Sequence, residues 1–184
     1  MRVRDWMEPD PPRVLVGTPV GEARALAEEL GLVLVLVVDE GGRLVGFLTR
    51  KALDAAPKPD LPAGKLAAQP TVVLRADDPV ERAVALLAER HALVPVVEEG
   101  RLVGVMTRGG VIRALVKLTG IGQEGTRIRI QLRENTDVYR ALEVLARWEL
   151  ELVSVMRTDD EAIFHVRGLE DKERLTAELK EALG

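Results

Sequence analysis

The stretch RLVGFLTR occupies residues 43–50, and the stretch RLVGVMTR occupies residues 101–108. The two stretches are identical at six of their eight positions and are separated by 58 residues. The similarity extends upstream, because residues 18–50 align with residues 78–108 once a single extra residue in the first copy is allowed for at two places. A repeat of this length predicts that one structural unit is built twice.

Each copy has the pattern of a β-α-β-β-α unit. Thr18 and Asp78 are predicted to be helix N-cap residues, because each precedes a proline that suits the first helical position. Apolar strands follow at 34–38 and 93–97, then a turn with glycine and a second strand that contains the repeated stretch. These features predict the same fold for both copies.

The flanking elements complete the unit. Short strands are predicted in RVLV (13–16) and TVVL (71–74), upstream of the first helix of each copy. A helix is predicted over 109–118, with its apolar face formed by three residues: Val111, Leu115 and Leu118. We expect this face to pack on the core.

Two segments separate the repeat from its surroundings. Residues 56–70 contain four of the ten prolines and are predicted to form a linker, and residues 119–125 contain three glycines. The remainder of the chain predicts a different βαββα unit, with strands at 127–132, 150–157 and 161–167 and helices at 137–148 and 170–182.

Composition excludes several classes of protein. The chain has no cysteine, so it offers neither disulfides nor a thiolate metal site. Its two histidines are far apart in sequence, its only serine (Ser154) lies in an apolar strand, and no nucleophile signature is present. The formal net charge of −4 argues against nucleic acid as a partner, and the longest apolar run (32–38) is too short to cross a membrane. We expect a cytoplasmic protein that is not an enzyme.

The repeat resembles a tandem pair of CBS domains over residues 1–118, on the evidence of VPVVEEGRLVGVMT in the second copy and the Gly-x-x-Thr step in both. The tail, LTGIGQEGTRIRI followed by βαββα, resembles the ACT-type domain of acetoin-utilisation protein B-like proteins. The resemblance implies an α+β fold: two pseudo-twofold-related CBS units followed by an ACT-like βαββα domain. The expected limits are 1–56 for the first CBS unit, 57–70 for a linker, 71–118 for the second unit, 119–125 for a second linker and 126–184 for the ACT-like domain.

The resemblance also implies a function. CBS pairs often bind adenosine nucleotides, so we expect a non-catalytic regulatory protein that senses AMP, ADP, ATP or a related ligand and needs no other cofactor. The expected partners are a second copy of the chain in a homodimer and a regulated protein of unknown identity. The alternative is a structural dimerisation module whose CBS clefts are empty.

The Gly-x-x-Thr steps locate the predicted ligand site. Each step ends a strand at a helix N-terminus, where free N–H groups favour phosphate, and eight residues are expected to contact the ligand: Thr49, Arg50, Thr107, Arg108, Arg13, Leu36, Val73 and Pro95. The family's ribose-binding aspartate is replaced by Ala52 and by Gly110, which leaves phosphate contacts to carry the affinity. A second interpretation stays open, in which both threonines only cap helices and both following arginines are solvated surface residues.

Overall fold

The structure is a computed structural model that describes residues 1–89 and 91–184. It divides into two compact units, Met1–Ala114 and Leu115–Gly184. The elements of the repeat are β1 (Glu8–Pro9), β2 (Arg13–Leu15), α1 (Val20–Glu29), β3 (Leu34–Val38), β4 (Leu44–Thr49), α2 (Arg50–Asp54), α3 (Val80–Ala88), β5 (Leu93–Glu98), β6 (Arg101–Thr107) and α4 (Arg108–Thr119). The elements that follow are β7 (Thr126–Gln131), α5 (Asp137–Arg147), β8 (Glu151–Arg157), β9 (Glu161–Arg167) and α6 (Lys172–Leu183).

The two copies have the same strand register, which confirms the repeat. β3 pairs antiparallel with β4 so that Val37 lies opposite Gly46, and β5 pairs with β6 so that Val96 lies opposite Gly104. In both hairpins the register shifts at the next residue, which is a bulge at the same place. The extra residue of the first copy in its turn is therefore absorbed without any change in the pairing that precedes it.

The first segment of each copy packs on the other copy, a feature that the sequence did not predict. A 3-10 turn at Val3–Asp5 precedes β1, and Val3 is buried in the core of the second copy. The equivalent turn at Ala63–Lys65 lies within the predicted linker, and Ala63 is buried in the core of the first copy. Each hydrophobic core is thus closed by a segment that precedes the other copy in the chain.

The helix starts differ from the prediction. α1 and α3 each begin one residue after the proline, and neither Thr18 nor Asp78 caps its helix. The Thr18 hydroxyl accepts from the backbone N–H of Leu15 (3.1 Å), and the Asp78 carboxylate accepts from that of Arg75 (2.8 Å). Each side chain therefore bonds to the backbone N–H three residues before it and closes the turn that leads into the helix.

Two further expectations about the repeat are wrong. Residues 71–74 form no strand of the predicted length but a single parallel bridge between Leu74 and Val96. On α4, Val111 is buried while Leu115 and Leu118 are 39% and 45% exposed. The buried face of α4 is formed instead by Gly110, Val111 and Ala114, which leaves an apolar face of the helix outside the core.

The second unit has the predicted βαββα order. Its sheet has the order β7-β9-β8, both neighbouring pairs are antiparallel, and α5 and α6 pack on one face around the fully buried Phe164. Asp137 at the start of α5 is 2% exposed and accepts hydrogen bonds from the backbone N–H groups of Glu134 (3.0 Å) and Arg133 (2.8 Å). These bonds, with the charge of Arg140, hold the pKa of the Asp137 carboxyl below its ordinary value of 3.8, although burial acts in the opposite direction.

Together these features confirm the predicted α+β class. Among the residues that the structure describes, no helix is long and apolar enough to cross a membrane.

Candidate ligand cleft between the two copies

A close backbone approach fixes the position of the first Gly-x-x-Thr turn. Phe47 forms two backbone hydrogen bonds with Ala68, at 2.9 and 3.0 Å. Ala68 belongs to residues 63–68, which precede the second copy and pack on the first; these residues and their counterparts 3–9, which pack on the second copy, are the two exchanged segments. A Cβ at Gly46 would lie only 2.6 Å from the Ala68 carbonyl oxygen, so the contact requires glycine at that position. β4 is thereby held against the segment that leads into the second copy, and it ends at Thr49.

A cleft of about 300 Å³ lies beside this turn. Its walls come from both copies: β3 and β4 contribute Leu36, Phe47 and Thr49, and the second copy contributes Thr71, Val72, His91 and Pro95, among others. The volume is at the lower end of the range for small-molecule sites, and an apolar wall with a few polar groups is typical of them.

The hydroxyl of Thr49 is the polar group that the Gly-x-x-Thr step supplies to the cleft. It caps α2 by accepting from the backbone N–H of Ala52 at 3.2 Å. A hydroxyl has one hydrogen and two acceptor sites, so this cap leaves the hydrogen available to an acceptor atom of a ligand. Capping and ligand binding, which the sequence left as alternatives, are therefore compatible at Thr49.

The second Gly-x-x-Thr turn has a different environment. Thr107 accepts from the backbone N–H of Gly110 at 3.2 Å, just as Thr49 accepts from that of Ala52. Its hydroxyl also donates to the carboxylate of Glu8 at 2.8 Å. The two equivalent threonines therefore present different chemistry to their surroundings.

The structure brings together three of the eight predicted site residues in the 300 Å³ cleft: Leu36, Thr49 and Pro95. The other five lie elsewhere. Arg50 donates to the carbonyl oxygen of Ala27 on α1 (3.3 Å), Arg13 forms an ion pair with Asp10 (2.6 Å), and Arg108 is exposed. Their role in binding stays a prediction, as does that of Thr107.

Val73, the remaining predicted residue, lines a wider depression of about 1170 Å³ on the second copy. Four carboxylates and three arginines surround it: Asp77, Asp78, Glu98, Glu99, Arg75, Arg82 and Arg101. Asp78 forms an ion pair with Arg82 (3.2 Å), and Asp77 forms one with Arg4. The smaller cleft, in contrast, has a mostly apolar lining and adjoins a Gly-x-x-Thr turn.

Sequence reasoning missed Phe47, Thr71 and His91, although all three line the cleft. Phe47 lies inside the repeated stretch, where the second copy has valine, and this difference was the available signal. His91 and Thr71 lie outside the helices and strands of the second copy, so no local periodic pattern indicated their place in the cleft.

Comparisons with known proteins agree with this architecture. The model of the CBS domain family matches residues 3–57 and 63–117. The A-adding tRNA nucleotidyltransferase of Aquifex aeolicus is 33% identical over 118 residues, which are 62% of this chain and only 14% of that enzyme.

Two solved structures extend the comparison. CBSX2 in complex with AMP is 30% identical with a TM-score of 0.57, and the match covers 62% of this chain and 96% of that chain. A CBS domain pair/ACT domain protein of Thermotoga maritima is 24% identical with a TM-score of 0.57, and it covers 63% of this chain and 97% of that one. Because the family model matches both copies, and the copies share one register, the chain belongs to the CBS domain family and contains a tandem pair of these domains.

Proposed function

We propose that this chain is a non-catalytic regulatory protein that binds an adenosine-containing ligand, such as AMP, ADP or ATP, in the cleft beside Thr49. The observation that carries the proposal is the apolar cleft of about 300 Å³ with a hydroxyl donor at its Gly-x-x-Thr turn. The AMP complex of CBSX2, which is 30% identical to this chain, supports the choice of ligand class.

The chemistry of the walls suits a nucleotide. Leu36, Phe47 and Pro95 offer flat or branched apolar surface on which a purine ring can be buried. Thr49 and Thr71 offer hydroxyls to the ribose or phosphate oxygens, and His91 adds a ring nitrogen at the edge. Among the described residues that line the cleft there is no carboxylate, so an anionic group meets no fixed negative charge there.

The same walls favour binding over catalysis. A hydrolase or transferase needs a nucleophile with an adjacent base or a pair of carboxylates at the reacting atoms. The described lining residues of the cleft hold two threonine hydroxyls and one imidazole, and Thr49 is engaged in capping α2. Ligand binding that shifts the population of two conformations is the function that this lining supports.

A structural dimerisation module is the second candidate, and a specific observation favours it. The apolar face of α4 outside the core contains four exposed residues: Ile112, Leu115, Val116 and Leu118, which are 38% to 60% exposed. Apolar patches of this kind mark interaction surfaces in many proteins. We propose that this face contributes to a homodimer, and the two candidates are compatible, since a dimer can transmit ligand binding to a regulated partner protein.

The experiment compares thermal unfolding with and without AMP, ADP and ATP. A ligand at about 100 times its dissociation constant stabilises the folded state by about 2.7 kcal/mol, which raises Tm by about 5–10 °C for a chain of this size. Thr49→Val should weaken the shift, and Thr107→Val is the matched control, because each variant loses one equivalent helix cap. The proposal is wrong if none of the three nucleotides raises Tm at millimolar concentration, and the dimerisation module then takes its place.

A further inference from the structure

Glu8 distinguishes the second Gly-x-x-Thr turn from the first. It lies on β1 and pairs with Val105, whereas in the other copy Ala68 pairs with Phe47. Phe47 and Val105 are equivalent, at the separation of 58 residues that relates the repeated stretches. Glu8 and Ala68 are therefore equivalent positions, so one copy has a carboxylate where the other has a methyl group.

The carboxylate changes what the neighbouring threonine can offer. The hydroxyl of Thr107 uses its one hydrogen in the 2.8 Å bond to Glu8 and accepts from Gly110. The hydroxyl of Thr49 accepts from Ala52, and in the hydrogen bonds of the described residues it donates to no protein atom. Only the first turn thus keeps a hydroxyl hydrogen for a phosphate or ribose oxygen.

The carboxylate also sets the local charge. Glu8 takes part in none of the ion pairs formed by the described residues. A phosphate that contacts Thr107 would therefore lie close to a carboxylate that no described ion pair neutralises. At a separation of about 4–5 Å near a protein surface, repulsion between two unit charges weakens binding by about 100-fold or more.

We infer that Glu8 excludes anionic ligands from the second Gly-x-x-Thr turn, so that the chain binds one adenine nucleotide and binds it beside Thr49. This inference rests on the proposed function and makes Glu8 a determinant of specificity and stoichiometry. The repeat supplies its own controls, because Glu8→Ala gives the second copy the residue of the first, and Ala68→Glu does the reverse.

The test is isothermal titration calorimetry of the full chain with AMP. We expect one site per chain for the wild type and two for both Glu8→Ala and Glu8→Gln, since glutamine keeps the size of the side chain and removes its charge. Adding Thr49→Val to Glu8→Gln should weaken the original site and leave the new one. Ala68→Glu should weaken the wild-type site by about 100-fold, with a circular dichroism spectrum to confirm folding. If that variant does not fold, the Glu8→Gln stoichiometry decides.

The outcomes separate the inference from the proposed function. Two sites in the wild type would overturn the inference and leave the proposed function standing. One site in the wild type and still one in Glu8→Gln would overturn it as well. A second site in Glu8→Ala but not in Glu8→Gln would also overturn it, because the size of the side chain and not its charge would then prevent binding. Absence of AMP binding in the wild type and in both Glu8 variants would overturn the inference together with the proposed function.

Discussion

Gly46→Ala tests the close contact between β4 and the exchanged segment 63–68, beside which the candidate cleft lies. The new Cβ would lie 2.6 Å from the carbonyl oxygen of Ala68 and 3.1 Å from the Cβ of Ala67. The nearest of these atoms belongs to the backbone, which Phe47 holds through two hydrogen bonds of 2.9 and 3.0 Å. Because no side-chain rotation relieves the contact, the segment that carries Ala68 must move away from β4.

The expected magnitude follows from these contacts. Overpacking in a tight site costs about 1–3 kcal/mol, and each of the two backbone hydrogen bonds contributes about 1 kcal/mol. We therefore expect Gly46→Ala to lower the free energy of unfolding of the first unit by about 2–4 kcal/mol. Gly104→Ala should cost less, because its nearest atom is the flexible thioether of Met7 at 2.7 Å, although the carbonyl oxygen of Glu8 lies at 2.9 Å.

Gly17→Ala is the matched control, because no atom lies within 4 Å of the Cβ position at residue 17. The assay is urea unfolding followed by tryptophan fluorescence. The chain has two tryptophans, and Trp6 packs on the core of the second copy in the first unit, so a Trp148→Phe background makes Trp6 the sole reporter. A free energy of unfolding within about 0.5 kcal/mol of the wild type for Gly46→Ala would refute the packing argument.

Three more predictions concern the second unit and the assembly. Asp137→Asn should lower the free energy of unfolding at pH 7, because a carboxyl group whose pKa is depressed by folding stabilises the folded state while it is ionised. As the pH falls below 3.8 this stabilisation is lost, so the free energies of unfolding of variant and wild type should converge; urea unfolding at several pH values measures both. Gly120→Ala should destabilise by about 2–4 kcal/mol, because its Cβ would lie 2.8 Å from Nδ1 of the buried His165 and residue 120 has a φ of +65°. Gly122→Ala, at a φ of +80° in open space, should cost only about 1 kcal/mol in the same assay. Ile112→Asp should weaken self-association in sedimentation equilibrium without lowering Tm in dilute solution, because that side chain is 60% exposed; unchanged association would exclude this face from the dimer.

The strands and the register could be predicted from the sequence because both have a local cause. Alternating and continuous apolar runs mark β3 and β5, and a glycine at the same place in each copy fixes the approach of a neighbouring backbone. The α+β order of the second unit followed from the same kind of signal. Leu36 and Pro95 were expected at the ligand site because of the resemblance to CBS pairs, and both line the cleft.

The exchanged segments could not be predicted, because their cause is not local. Residues 57–70 have the proline content of a linker, yet Ala63 within them is fully buried. Val3 is the equivalent residue at the other end of the first copy and is also fully buried. Ala63 lies between Pro62 and Gly64, and Val3 lies between two arginines, so neither residue belongs to a periodic apolar pattern that would indicate its burial.

The chemical difference between the two Gly-x-x-Thr turns could not be predicted from the repeated stretches either. The repeated stretches are nearly identical, so they predict two equivalent Gly-x-x-Thr turns. The backbone agrees, because Thr49 and Thr107 each cap the following helix with a bond of 3.2 Å. The chemical difference between the two turns comes from Glu8 and Ala68, which lie outside both stretches and pair with them through the exchanged segments. A duplicated fold can thus keep its symmetry in the residues that build the backbone and lose it in those that meet a ligand. The number of Gly-x-x-Thr steps in the sequence therefore predicts the number of turns. On the inference made above, the number of bound nucleotides depends in addition on the residue that the exchanged segment places beside each threonine: Glu8 beside Thr107 and Ala68 beside the turn of Thr49.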